Sequence, residues 1–277
     1  MRLRGEDVVL GARTWVVGVL NVTPDSFYDG GRHFERDAAI RRGLGLFEAG
    51  ADVVDVGGES TRPQGASRVP ADEELRRVAP VIGGLRERGA GILSVDTTRE
   101  EVARAALDSG ADIVNDVSAF RFDPAMADLV ARRDVPAVVM HLRGGFEEMH
   151  REPRYDDVMG EIVVELRSAL DRAERAGVRR TATIVDPGIG FAKNAEHSLE
   201  VLRRLPEMCA LDRPVLAGPS RKSFIGRVLD LPVGERLMGT AAAVAASVFG
   251  GAHLVRVHDV PEMVQVVRLC DAVLGDG

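Results

Sequence analysis

Two textures alternate along the chain. Short apolar runs rich in Val and Ile are separated by longer stretches of mixed polarity. Eight such runs stand out: Trp15–Leu20, Asp52–Val56, Gly91–Asp96, Asp112–Asp116, Pro136–His141, Ala182–Asp186, Pro214–Ala217 and His253–His258. Each is too short for a stable helix and β-branched enough for a strand buried on both faces. The intervening stretches, among them Arg36–Ala49, Arg99–Ser109 and Tyr155–Ala176, repeat their apolar positions at helical spacing. The helix-to-strand junction recurs almost literally: Glu48-Ala-Gly-Ala-Asp-Val-Val-Asp55, Asp108-Ser-Gly-Ala-Asp-Ile-Val-Asn115 and Gly250-Gly-Ala-His-Leu-Val-Arg256. Glycine stands there where a helix ends, because a residue without Cβ enters the left-handed region at little cost.

Eight strands alternating with helices within 277 residues predict one (β/α)8 TIM-barrel domain spanning 1–277. A doubly wound open sheet is the structural alternative. Before the first strand, Arg2–Ala12 reads as a short N-terminal hairpin covering the barrel floor. Aromatics are only 4% of the chain, so aliphatic side chains must fill the core. The formal charge of −7 argues against a nucleic-acid partner, which needs a positive footprint, yet allows a local cationic pocket for a small anion. Cys209 and Cys270 are isolated and show no metal-ligand spacing, which suits a reduced, cytoplasmic protein. Met1–Arg13 is too polar for a signal peptide, and the run around Ala241–Val248 is too short to span a bilayer, so no membrane partner is expected.

Active sites of this fold gather at the C-terminal ends of the strands. Here every strand end carries residues that a packed core would not choose. In chain order they are Asn21; Asp55; Asp96; Asn115 and Asp116; Met140 and His141 with Arg143; Asp186 with Phe191 and Lys193; Ser220-Arg-Lys222; and Arg256, His258 and Asp259. A single aspartate at a strand end is ordinarily a helix cap or a satisfied buried carboxylate. Eight strands all ending this way imply a ligand, because buried charge is costly unless something pairs with it. Arg256 and His258 are two apart on one strand and face the same side, which makes a cationic wall if that side is the lumen. The alternative is that one of them pairs with Asp259 or with a helix carboxylate outside the barrel. Asp55, Asp96, Asn115 and Asp186, with Lys222 nearby, suit a flat heterocycle with an amidine-like edge. The segments Thr23–Gly31 and Gly57–Gly65 combine Gly, Pro and Ser with Asp-Ser-Phe and Thr-Arg-Pro clusters, the composition of lids that order over a substrate.

The chain resembles the dihydropteroate synthases, pterin-binding enzymes of folate biosynthesis, over essentially its whole length. The resemblance rests on Leu20-Asn-Val-Thr-Pro-Asp-Ser-Phe27, Asp55-Val-Gly-Gly-Glu-Ser-Thr-Arg-Pro63, Ser94-Val-Asp-Thr97, Asn115-Asp-Val117, Asp186-Pro-Gly-Ile-Gly-Phe191, Ser220-Arg-Lys-Ser-Phe224 and Arg256-Val-His-Asp259. It implies that Asp96, Asn115, Asp186 and Lys222 hold a pterin, flanked by Met140 and Arg256. It implies a pyrophosphate site of Asn21, Thr61, Arg62, Arg256 and His258, with Asn21 also at a Mg²⁺ ion. It implies a 4-aminobenzoate site of Phe27, Thr61, Pro63, Phe191, Lys222 and Ser223. A homodimer through Glu235–Phe249 is the further implication, small residues there allowing close packing. Val17 stands where a Met is common and Pro219 where a small or apolar residue is usual; both lie outside the pterin and pyrophosphate sets.

The implied reaction displaces pyrophosphate from a dihydropterin by the amine of 4-aminobenzoate. An aniline is neutral at pH 7 and pyrophosphate leaves readily once neutralised, so no nucleophilic side chain is needed; positioning and electrostatics suffice. Asn21, Arg62, Lys222, Arg256 and His258 are the residues expected to carry it. Two rivals share the barrel: a pterin-dependent methyltransferase acting on a corrinoid, and a catalytically inert pterin-binding protein. The first needs no pyrophosphate clamp, and the second no complete set of anion ligands.

Overall fold

The computed structural model describes residues 1–22, 32–59, 69–145 and 154–275. A two-residue-per-strand antiparallel hairpin, β1 (Arg2–Leu3) and β2 (Glu6–Asp7), opens the chain. Eight strands follow: β3 (Trp15–Asn21), β4 (Val53–Gly57), β5 (Ile92–Asp96), β6 (Ile113–Asp116), β7 (Ala137–Met140), β8 (Thr183–Asp186), β9 (Leu216–Ala217) and β10 (Leu254–Val257). Helices alternate with them: α1 (Arg32–Glu48), α2 (Ala71–Glu87), α3 (Glu100–Asp108), α4 (Ala125–Arg133), α5 (Val158–Arg175), α6 (Ala195–Arg203), α7 (Ser223–Leu229), α8 (Leu237–Phe249) and α9 (Val260–Leu274). The sheet runs β8-β7-β6-β5-β4-β3-β10-β9 with parallel pairing throughout. A parallel bridge from Val185 to Val215 joins its two ends, and the Val185 N–H donates to the Pro214 carbonyl at 2.9 Å. The barrel expected from the apolar runs is therefore the one observed. β9 is shorter than its run: Pro214 has no N–H to give to a ladder, and the Val215 N–H goes to Nδ1 of His253 at 3.2 Å.

Period-two alternation sorts the strand residues into two cores. Val16, Leu20, Val54, Val56, Leu93, Val95, Val114, Val139, Val185, Val255 and Val257 face outward and pack with Ile40, Ile82, Leu85, Leu129, Ile162 and Leu166 of the helices. Val17, Val53, Ile113, Val138, Ile184, Leu216 and Leu254 face inward and form a separate cluster with Leu3. Met1, Val8 and Leu10 of the hairpin region and Trp15 pack against that cluster, so the hairpin does close the floor. Two residues further along the same strands, the inward positions become Asp55, Ser94, Asn115, Met140, Asp186 and Arg256. The lumen thus turns from aliphatic to polar within one side-chain layer, and the plugged floor leaves its upper end as the place for a ligand.

Candidate active site at the C-terminal mouth of the barrel

Arg256 stands at the centre. Its Nε donates to Oδ2 of Asp55 and its Nη2 to Oδ2 of Asp96, both at 2.7 Å. Burial works against the guanidinium charge, but Asp55 and Asp96 more than offset it and raise its pKa. The same Asp55 oxygen accepts the Asn115 side-chain N–H at 3.0 Å. That oxygen already accepts from Arg256, so the Asn115 amide must present nitrogen to it and keep its carbonyl oxygen for a ligand donor. Asp55 is 1% exposed, and its other oxygen, Oδ1, has no partner among the described residues. Burial pushes the Asp96 carboxyl up, against the pull of Arg256.

The β8 end supplies the opposite wall. Oδ1 of Asp186 accepts the Gly188 N–H at 2.6 Å, which fixes the carboxylate and leaves Oδ2 for a second donor. Burial raises the Asp186 pKa to about 6. Gly188 has φ +68°, and a Cβ there would lie 2.1 Å from the His141 carbonyl oxygen, so only glycine fits. The Lys222 stem crosses Gly190, and its ammonium sits 3.7 Å from the Phe191 ring centroid. Burial, then Arg256, lowers the Lys222 pKa to about 7. Met140 and Phe191 are buried together with Val117, Leu142 and Ala192, an apolar patch beside these polar groups.

The structure brings together Asp96, Asn115, Asp186, Lys222, Met140, Phe191 and Arg256. His258 is tied instead to the loop after β9: the Ser220 hydroxyl accepts its backbone N–H at 3.1 Å and lies 3.0 Å from Nδ1. Asp259 pairs with Arg221, not with Arg256, so the outward alternative for Arg256 does not hold. Asn21 ends β3 beside Gly57, and Ser223 opens α7 on an exposed face. Phe27, Thr61, Arg62 and Pro63 lie outside the described residues. Asp116 has the plain structural role a strand-end aspartate usually has, accepting the Ser118 and Phe120 N–H groups at 2.7 and 3.1 Å.

Two sets of residues take partners that the sequence did not show. Glu74, 1% exposed, pairs with Arg99, which also donates to the Val69 carbonyl at 2.7 Å. Glu59 accepts the Val69 N–H at 2.8 Å, so this network ties the chain on either side of residues 60–68. Glu74 shares a helical face with Val78, Val81, Ile82 and Leu85, a spacing that separates it from Asp72 and Glu73, but its partner Arg99 lies beyond any local pattern. The second set is Lys193, His141 and Glu165, outside the lumen. Among the described residues, no three His, Cys, Asp or Glu side chains cluster as a metal cage. None of the described helices is long and apolar enough to cross a membrane.

A barrel mouth that offers fixed acceptors from Asp96, Asn115 and Asp186, donors from Lys222 and Arg256, and one apolar wall defines a protein for a flat, N–H-rich ring. A sequence profile described as pterin binding enzyme matches residues 17–258. The dihydropteroate synthase of Synechocystis sp. is 46% identical over 263 residues, 95% of this chain and 91% of the relative. A structure of the Xanthomonas albilineans dihydropteroate synthase with 4-aminobenzoic acid superposes with a TM-score of 0.89 at 45% identity, covering 95% of this chain and 94% of that one. A structure of the same enzyme in complex with 7,8-dihydropteroate gives 0.86 at 43%, with the same coverage. The chain belongs to the pterin-binding enzymes, and within them to the dihydropteroate synthase family.

Proposed function

We propose that this barrel condenses 6-hydroxymethyl-7,8-dihydropterin pyrophosphate with 4-aminobenzoate, releasing 7,8-dihydropteroate and pyrophosphate for folate synthesis in the cytoplasm. The observation that carries the reading is the polarity of the mouth. Asp55 turns Asn115, and Gly188 turns Asp186, so that each keeps an acceptor for a ligand N–H. An aminopyrimidine edge supplies such donors, and Lys222 serves a ring carbonyl. The apolar face of the ring lies against Met140 and Phe191. Arg256 and His258, with Arg62 and Thr61 from the second loop and Asn21 from β3, hold the pyrophosphate. Phe27, Thr61, Pro63, Phe191, Lys222 and Ser223 outline the 4-aminobenzoate site.

Mg²⁺ fits this chain as a guest of the pyrophosphate. Asn21 offers a single hard oxygen, and a small cation that keeps its waters binds through one protein ligand plus phosphate oxygens. Its positive charge would help neutralise the leaving group. The residues themselves supply position and field. Arg256 is already held charged by Asp55 and Asp96, so it stabilises the departing anion without reorganising. No side chain need form a covalent intermediate.

The unit acts as a homodimer through α8. Met238 and Phe249, 77% and 51% exposed, lie at the two ends of this helix, with Ala242 and Ala246 exposed between them. A stripe of that length and smallness suits a second copy of itself. The deciding experiment measures pyrophosphate release from dihydropterin pyrophosphate with and without 4-aminobenzoate. Release that depends on the aminobenzoate and yields dihydropteroate is expected. Transfer of a methyl group, or pterin binding without turnover, would replace the reading with one of its rivals.

A further inference from the structure

The chemistry above leaves a buried cation beside the mouth unused. Lys193 is 8% exposed, in the loop that follows β8. Its ammonium lies 3.0 Å from Nδ1 of His141, 3.0 Å from the Gly188 carbonyl and 3.1 Å from the Phe191 carbonyl. Three N–H bonds meet three acceptors, and nothing of the ammonium remains for a substrate. The hydrogen bond from His141 holds the Glu165 pKa down to about 2, so this α5 residue is a carboxylate that accepts from Nε2 at 3.0 Å. That leaves Nδ1 as the acceptor facing Lys193, whose own pKa burial lowers to about 7. Burial and the facing Lys193 hold the His141 pKa down to about 4, which keeps the ring neutral. The result is a relay from Glu165 through His141 to Lys193, anchored on a helix outside the lumen.

Both carbonyls that Lys193 holds belong to peptides next to the site. Gly188 is the residue whose N–H fixes Asp186, and Phe191 is the residue whose ring lies under Lys222. From Gly188 to Ala192 the backbone passes through left-handed conformations at Gly188, Gly190 and Ala192, φ +68°, +76° and +47°. No strand ladder or helix holds such a path. Besides the Gly188 N–H bond to Asp186, its ties among the described residues include one turn, Phe191 N–H to the Gly188 carbonyl at 3.0 Å, and Tyr155 Oη donating to the Ala192 carbonyl at 3.1 Å. We infer that Lys193, braced by His141 and Glu165, is a positioning residue: it aims Asp186 and seats Phe191 beneath Lys222 without touching substrate. This rests on the reading of the mouth as a pterin site.

The test uses Lys193→Met, Lys193→Arg and Glu165→Ala in the full chain. The readouts are the ligand-free Tm, calorimetric binding of 6-hydroxymethylpterin, steady-state kinetics, and the amide resonances of Gly188 and Phe191. Lys193→Met is expected to weaken pterin binding at least tenfold and raise KM for both substrates more than it lowers kcat. Lys193→Arg, which keeps charge and donors, is expected to recover at least half of that loss on a logarithmic scale. Glu165→Ala alters the outer end of the relay, at a carboxylate 40% exposed, and leaves Arg143 its second carboxylate, Glu161; it remains folded if Lys193→Met does not. It is expected to shift both amides and weaken pterin binding about threefold. Variants that lose Tm yet bind pterin as tightly as the parent, with unmoved amides, would make Lys193 a plain structural residue and overturn the inference. Failure of the parent to bind pterin would sink the functional reading instead, while the ligand-free amide shifts would still report on the positioning.

Discussion

Replacing Asp186 by Asn tests the site most directly, because the structure dictates which oxygen becomes the nitrogen. Oδ1 accepts the Gly188 N–H at 2.6 Å, so the amide of Asp186→Asn must keep its oxygen there and turn its NH₂ toward the ligand. A pterin N–H then faces a donor. An unsatisfied buried pair of this kind costs about 1–3 kcal/mol, which is roughly a 5- to 150-fold loss of pterin affinity. Stability moves the other way. Burial holds the Asp186 pKa at about 6, above the ordinary 3.8, so the folded state binds the proton more tightly than the unfolded state. Stability from this group is therefore fully present below pH 3.8 and is lost as the pH rises through 6. At pH 7.5 the parent carries a penalty on the order of 3 kcal/mol at most, at 1.36 kcal/mol per pKa unit, that the amide does not. Asp186→Asn should thus match or exceed the parent's Tm at pH 7.5, with the difference shrinking toward pH 4. Calorimetric pterin binding and thermal melts across that range give both numbers. A variant that melts lower at pH 7.5 but binds pterin normally when folded would show that Asp186 is structural and that the assignment of the mouth is wrong.

Three further outcomes follow from the geometry. Arg256→Met leaves Asp55 and Asp96 facing each other without a cation; it should lose about 3–5 kcal/mol of stability, as a broken buried pair does, and melting should recover in acid, where Asp96 takes up a proton. Gly188→Ala places a methyl against the His141 carbonyl in a left-handed conformation, so pterin binding and Tm should both fall; normal binding would refute the role given to this turn. Met238→Asp puts a charge in the exposed α8 stripe, and sedimentation should show monomers at concentrations where the parent is dimeric, with the far-UV spectrum unchanged.

Much of this protein is legible along the chain because its determinants are local. Short Val- and Ile-rich runs, Gly at helix ends and helical spacing between them specify the eight strands and the helices that follow each. Alternation along a strand then makes Arg256 and His258 share a face and puts Asp55, Asp96, Asn115 and Asp186 at strand ends. The sequence also holds the motifs that place the chain among the pterin-binding enzymes. What it does not hold is which partner each charge takes, since that depends on residues brought together from distant strands. That Arg256 lies between Asp55 and Asp96, 201 and 160 positions away, is a consequence of barrel closure. That Asp116 caps its own turn while Asp186 faces the lumen depends on one step of strand register, which separates the outer face from the inner one. His141 and Lys193 stand out in sequence as strand-end groups, but that they hold each other and Glu165 rather than a ligand, and that Glu74 holds Arg99, belongs to the packed fold.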